Sequence, residues 1–466
     1  MHNLTLRELA DIVGGELFGD GDIIVSGVTT DSHAVRAGDL FGAIVGERVD
    51  AHDFAPDAIA AGAVAVLGTR QVSQPCVVIL RSAGLDAVIV ALGRLAQHER
   101  GQLSNVNVIG VTGSSGKTTT KDIIGQVLAH NGPTQSPAGS PNNELGLPLT
   151  LLNAAQDTKN YVLEMGMRGF GHIAYLCEIA QPTIGVVTNV GLAHVGEVGS
   201  IENIAVAKSE LVSALGTDGV AILNADDHRV LAMSGLAAGK VLTFGKSEIA
   251  DIRIADIHMR NDGTSTFTLT YLSETVSIDF PLLGEHNISN AAASAAVGVA
   301  VGMSLEAIAG ALLQVTSKSK WRMELHRLSR GIIIINDAYN ANPESMRAAL
   351  TTLSSYAGQH STWAVLAGMH ELGDASEREH ASLGELAAAN GIEHLVLIGE
   401  LTRPGLEAAL NAGVQAVWFP EINQASDYIG QKVAADDVLL FKASRSEGLE
   451  RLAAQVMDQI ERGAQQ

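Results

Sequence analysis

The chain has 466 residues, which at roughly 150 residues per domain makes about three domains and excludes a single small binding module. Apolar residues make up 46% and charged residues 17%, the balance of a packed protein and not of a disordered one. Lys and Arg number 30 against 51 Asp and Glu, a net charge of −21; a surface this acidic repels phosphate backbones and anionic lipid, so neither nucleic acid nor a membrane is an expected partner.

At the amino terminus, Thr5 and Glu8 stand at capping-box spacing and Gly14-Gly15 forms a stop, which predicts a short helix and not a signal peptide. The two cysteines, Cys76 and Cys177, are too few for a disulfide framework or a thiolate zinc site, so a reducing, cytoplasmic setting is expected. Val/Ile-rich runs at 63–67 and 76–80 alternate with helical patterns, which predicts a small α/β domain over 1–103. A polar connector at 97–102 leads into a strand at 106–111 and a second domain over 104–318. That domain has apolar strands at 161–164 and 184–187 and an alternating polar stretch at 264–280 that reads as an antiparallel hairpin. The low-charge stretch 289–315 is diluted by Ala, Gly and Ser, so it reads as a pair of buried helices and not as a membrane span.

After the polar run 316–320, strand patterns restart at 332–335 and recur at 363–366, 394–398, 414–419 and 438–441, with helical segments such as 377–390 between them. This spacing predicts a doubly wound, Rossmann-like third domain over 319–466, without a Gly-x-Gly-x-x-Gly fingerprint. The expected fold class is therefore α/β, with the central domain built on a parallel sheet plus a smaller antiparallel part. A monomer is expected.

The strand ending at Val111 is followed by Thr112-Gly113-Ser114-Ser115-Gly116-Lys117-Thr118-Thr119 and a helical pattern. The glycines let backbone N–H groups converge on phosphate oxygens, the helix start adds partial positive charge, Lys117 adds a full one, and the Thr118 hydroxyl suits Mg²⁺. A tight turn that merely joins strand to helix would not need Lys and Thr after its second glycine. Glu164 and His194 each follow an apolar strand. Taken singly, each reads as a structural polar residue; together, at the carboxyl ends of strands where α/β sheets bind ligands, they favour function, and Glu164 would need a partner or a cation there. Lys208 lies in a helical pattern where composition alone predicts a solvated lysine.

Together with Gly284-Glu285-His286-Asn287-Ile288-Ser289-Asn290-Ala291 and Arg322-Met323-Glu324, these segments resemble the Mur ligase family of cell-wall amide-forming enzymes over essentially the full length. Narrower motifs at 46–54, 142–148, 337–346 and 370–373 resemble the member that uses ATP to join D-alanyl-D-alanine to UDP-N-acetylmuramoyl-tripeptide through an acyl phosphate. The resemblance implies a first domain for the UDP-sugar, a central ATPase domain and a third domain that closes over ATP and the amine. It implies that Gly113, Ser114, Ser115, Gly116, Lys117, Thr118 and Thr119 bind ATP. Asn287 and Asn290 would read the adenine, and Arg322, Asp337 and Asn340 would be brought to ATP by closure. Ser32 would face the uridine, and Asn142 and Asn143 the sugar-peptide. Lys117, Lys208, His194 and Arg322 would be catalytic. Thr118, Glu164, His194 and a CO₂-derived carbamate on Lys208 would hold Mg²⁺.

Three positions depart from the family pattern: His33 stands where a basic residue is usual, Trp321 where Gly precedes the arginine, and Gly368 where aspartate is common. A sister ligase adding the third residue would be expected to carry Asp-Asn-Pro-Arg, which is not found. A nucleotide-driven switch ATPase would leave Asn142-Asn143 unexplained, and a UDP-sugar sensor without catalysis would be expected to lose Lys117, Glu164 or His194. Folylpolyglutamate synthases lack the first domain.

Overall fold

A computed structural model describes residues 1–79 and 85–463. The capping box forms as its spacing predicts: Thr5 and Glu8 exchange side chain-to-backbone hydrogen bonds, and helix Leu6–Val13 stops at Gly14, whose φ is 70°. Behind it lies a five-stranded sheet in the order Glu16–Phe18, Cys76–Val78, Ala65–Gly68, Asp39–Gly42, Gly27–Thr29. Only its Glu16–Phe18 edge is antiparallel. The strand expected at 76–80 is observed as Cys76–Val78, and Leu80 lies outside the described residues. Helix Ala87–Gln102 joins this sheet to the next. Its Arg94 donates to Val13 O on one side at 2.9 Å, and its Arg100 to Ala180 O on the other at 3.0 Å.

The second sheet has nine strands. Strand Asn107–Thr112 lies inside it, paired in parallel with Asn160–Glu164 and Ile184–Val187. These three are unbroken buried runs because helices cover both faces, as parallel sheets require. On one face, helix His286–Ala300 presents Ala291, Ala292, Ala295 and Ala296, all fully buried, and lies beside helix Lys117–Ala129 in the same core. The small side chains permit that approach. The expected hairpin is present as Ser265–Tyr271 and Glu274–Phe280, but a third antiparallel strand, Ile252–Met259, precedes it. Its buried Ile252 and Ile254 alternate with Arg253 and Ala255, and a bulge then interrupts the register, so its period fades from the sequence.

The low-charge stretch forms helices His286–Ala300 and Leu305–Leu312, and among the described residues no helix is long and apolar enough to cross a membrane. A third, six-stranded sheet has the order Glu324–Arg327, Ile333–Asp337, Val438–Lys442, Thr362–Leu366, His394–Ile398, Gln415–Phe419. It is parallel apart from its first edge strand.

Candidate active site

The loop after strand Asn107–Thr112 is shaped by two glycines with positive φ, Gly113 at 152° and Gly116 at 77°. A Cβ on Gly113 would sit 1.8 Å from Thr188 Oγ1, and one on Gly116 2.7 Å from Asn290 Oδ1, so no other residue fits either place. Asn189 props the loop from the neighbouring strand end: its carbonyl accepts from Ser114 N at 3.0 Å and its Oδ1 from Ser115 N at 2.9 Å. The Lys117 ammonium folds back onto Gly113 O at 2.7 Å. Burial lowers its pKa from the ordinary lysine value, opposed by the carboxylate of Glu164.

Glu164 ends its strand 2% exposed and is fully engaged. It accepts from Thr118 Oγ1 at 2.8 Å, Ser140 Oγ at 2.6 Å and Asn142 Nδ2 at 2.8 Å. Thr118 Oγ1 in turn accepts from Arg322 Nη2 at 3.2 Å, so a residue entering the third sheet reaches the loop of the second. The Arg322 guanidinium stacks 4.2 Å over the Tyr339 ring, and its Nε is buried with no hydrogen-bond partner. Asn290 donates to Asn287 Oδ1 at 2.8 Å and accepts from Thr120, which ties helix His286–Ala300 to the loop's own helix.

These groups line a cavity of about 1290 Å³ between the second and third sheets. Its floor is the phosphate-loop geometry, and its roof carries Arg322, Asp337, Asn340 and Lys442. Three segments of the chain match descriptions of the Mur ligase family: its catalytic domain at 24–100, the middle domain at 111–298 and the glutamate ligase domain at 321–445. A UDP-N-acetylmuramoyl-tripeptide–D-alanyl-D-alanine ligase of Mycobacterium tuberculosis is 38% identical over 97% of both chains. The chain belongs to the Mur ligase family. Among solved structures, MurF from Acinetobacter baumannii is 31% identical with a TM-score of 0.87 and covers 98% of this chain and 99% of its own. MurF ligase from Thermotoga maritima in complex with ADP is 28% identical with a TM-score of 0.80, over 94% of this chain and 99% of that one.

In this Mur ligase the cavity gathers Ser114, Ser115, Gly116, Lys117, Thr118 and Thr119, together with Asn142, Asn143, Glu164 and His194 from the second sheet's side. Asn287, Asn290, Arg322, Asp337 and Asn340 complete it. Gly113 lies beneath the loop, while Ser32, half-buried in the first domain, and Lys208 are not among the lining residues. Lys208 is 1% exposed on helix Ile201–Ser213, so it is not the solvated lysine that composition alone favours. Burial pushes its pKa well below the ordinary value, and the nearby Lys117 cation adds to that. Among the described residues no carboxylate pairs with it.

Lys442 was not anticipated. Its ammonium donates to Asp337 Oδ2 at 2.6 Å and to Asn340 O at 3.0 Å, and so fixes two expected ATP-facing residues. The available signal was a lysine directly after the apolar run 438–441. Two of the departures acquire physical reasons. Trp321 has φ 58°, a left-handed conformation that suits the glycine usual there, and its ring is covered by the Arg445 guanidinium at 4.5 Å. A Cβ on Gly368 would lie 3.0 Å from Glu447 Oε1. A carboxylate from another segment thus already occupies the space an aspartate would need.

Proposed function

We propose that this Mur ligase joins D-alanyl-D-alanine to the free carboxylate of UDP-N-acetylmuramoyl-tripeptide, with ATP converted to ADP and phosphate. The observation that carries this reading is the 38% identity over 97% of both chains to a UDP-N-acetylmuramoyl-tripeptide–D-alanyl-D-alanine ligase, and the bond from Arg322 to Thr118 Oγ1 supports it by joining the third sheet's segment to the glycine loop. Residues 1–103 are assigned to the UDP-sugar, 104–318 to ATP, and 319–466 to closure over ATP and the amine. The enzyme is assigned as a cytoplasmic monomer.

A carboxylate is a poor electrophile because oxide would have to leave. Transfer of the γ-phosphoryl group makes an acyl phosphate, and the dipeptide amine then attacks through a tetrahedral oxyanion and expels phosphate. Both steps bring anions together, so the chain's part is positioning and charge neutralisation. Lys117 and the loop N–H groups hold the phosphates, Arg322 meets the transferred group, and Asn287 and Asn290 face the adenine. Asn142 and Asn143 orient the sugar-peptide, Ser32 the uridine, and Asp337 and Asn340 are held for ATP by Lys442.

The donor set fits Mg²⁺: Thr118 Oγ1 and the Glu164 carboxylate are 2.8 Å apart, with His194 and Lys208 as the further proposed holders. Among the described residues no three His, Cys, Asp or Glu side chains form a cage. That suits a cation that keeps waters and takes phosphate oxygens in place of an all-protein shell. When bound, Mg²⁺ supplies charge neutralisation at the reacting phosphate. Buried without a counter-ion, the Lys208 amine is suited to add CO₂: its nitrogen bonds the carbon and releases a proton, leaving an anionic carbamate beside Lys117. Lys208→Ala is expected to lose activity by about 100-fold and to regain it with a short-chain carboxylic acid but not with chloride. Equal response to both salts would remove the carbamate.

The deciding assay supplies ATP, Mg²⁺, D-alanyl-D-alanine and UDP-muramoyl-tripeptide, omitting each acceptor in turn. Phosphate is expected only with both, alongside a product heavier by one dipeptide less water. Phosphate release indifferent to the acceptors would point to a switch ATPase, and release supported by another amine to a sister ligase.

A further inference from the structure

The segment 370–373 has no part in the chemistry above, yet it is packed against the loop that follows strand Ile184–Val187. His194 Nδ1 is buried and lies 2.6 Å from Glu371 Oε2. Two positions on, Gly196 N donates to Glu371 O at 3.0 Å. The backbones then touch: a Cβ on Gly196 would lie 2.6 Å from Gly373 N, and one on Gly373 2.8 Å from Gly196 Cα. Both His194 and Glu371 adopt left-handed conformations, φ 66° and 63°, which persist in non-glycine residues only when the surroundings impose them. The same loop is gripped a second time, by Glu344 Oε1 accepting from Leu192 N at 2.9 Å, and Asn342 donates to Ser114 O at 3.2 Å.

We propose that Glu371 is a positioning residue: its carboxylate and carbonyl clamp the 194–196 turn on closure, aim the His194 ring into the cavity and keep water from the acyl phosphate. The clamp rests on the ligase reading above. Its function follows from the hazard it guards against. If water reaches the acyl phosphate, its oxygen bonds the acyl carbon, phosphate leaves, a proton is released and the original carboxylate returns. ATP is then consumed with no amide made. The ratio of phosphate released to amide formed therefore reports on the clamp, whereas simple loss of folded enzyme lowers both and leaves the ratio at one.

The full chain is compared with Glu371→Ala, Glu371→Gln and Gly196→Ala, each checked by thermal melting. Gly196→Ala removes no polar group but interposes a methyl where the two loops meet, so it tests the clamp even where Glu371→Ala folds poorly. In Glu371→Ala, which removes the carboxylate beside His194, and in Gly196→Ala, which wedges the two loops apart, amide formation is expected to fall about tenfold. Phosphate release should fall less, so the ratio rises above one, while KM for the UDP-tripeptide stays unchanged. Glu371→Gln, which keeps an acceptor oxygen, should return toward one. A ratio of one in both Ala variants would overturn the clamp. Absence of amide from the unaltered enzyme would overturn the ligase reading and the clamp with it.

Discussion

Replacing Lys117 with methionine is expected to lower kcat/KM for amide formation by about three orders of magnitude, roughly 4 kcal/mol of transition-state stabilisation. The ammonium lies in the loop that would cradle the phosphates, bonded to Gly113 O at 2.7 Å, so it needs little reorganisation to meet a phosphate oxygen. Methionine keeps the length and apolar stem but removes the charge. Stability should move the other way. The folded pKa of Lys117 lies below its ordinary value, with burial as the main cause. A lysine so shifted destabilises the fold at all pH below its folded value, and the penalty fades as pH rises toward the unfolded value. Lys117→Met relieves that penalty, so its Tm at neutral pH should equal or exceed that of the unaltered chain. Steady-state kinetics and thermal melting on one preparation check both halves. Activity within tenfold of the parent would show that the loop N–H groups and the cation suffice without Lys117.

This separation of function from stability bears on what could be read from sequence. The phosphate loop was legible because its chemistry is local: glycines, Lys117 and Thr118 lie within a few residues of one another, between an apolar strand and a helix. Glu164 was legible for a related reason, since a carboxylate ending a buried strand must have partners, and it has three. The five parallel strands of the third sheet were legible as apolar runs, whereas its antiparallel edge strand Glu324–Arg327, Glu-Leu-His-Arg, is polar and was not. Strand Ile252–Met259 was not, since polar and apolar residues mix along it and a bulge breaks its alternation. The Glu371 clamp was not legible either, because it depends on Gly196 and Gly373 meeting across two sheets, and nothing local distinguishes those glycines from turn glycines. Asn189 and Lys442 stand between these cases. Each lay at or just beyond the end of a strand that was identified, but its partner was in another segment.

Replacing Arg322 with lysine is expected to reduce kcat by roughly 100- to 1,000-fold with little change in Tm, although the charge is retained. Three observations argue that the guanidinium plane, and not the charge, is what the site uses. It stacks 4.2 Å over Tyr339, it reaches Thr118 through Nη2 at 3.2 Å, and its Nε is buried with no partner. A stacked, forked donor can meet two phosphoryl oxygens at once, whereas an ammonium on a flexible stem meets one and is more strongly hydrated. Arginines that enter a phosphoryl-transfer site from a separate element contribute about 10³ or more in rate, which sets the upper end of the expected loss. The segment presenting Arg322 is itself constrained, with Trp321 at φ 58° and Met323 at φ 51° on either side, so lysine inherits the backbone but not the plane. Tyr339→Leu separates the two contributions. It leaves the fork and removes the stack, which is worth about 0.5–2 kcal/mol, and should therefore cost no more than roughly 30-fold. If Arg322→Lys retained kcat within threefold, charge alone would be sufficient and the contact with Thr118 would be a consequence of closure rather than a part of catalysis.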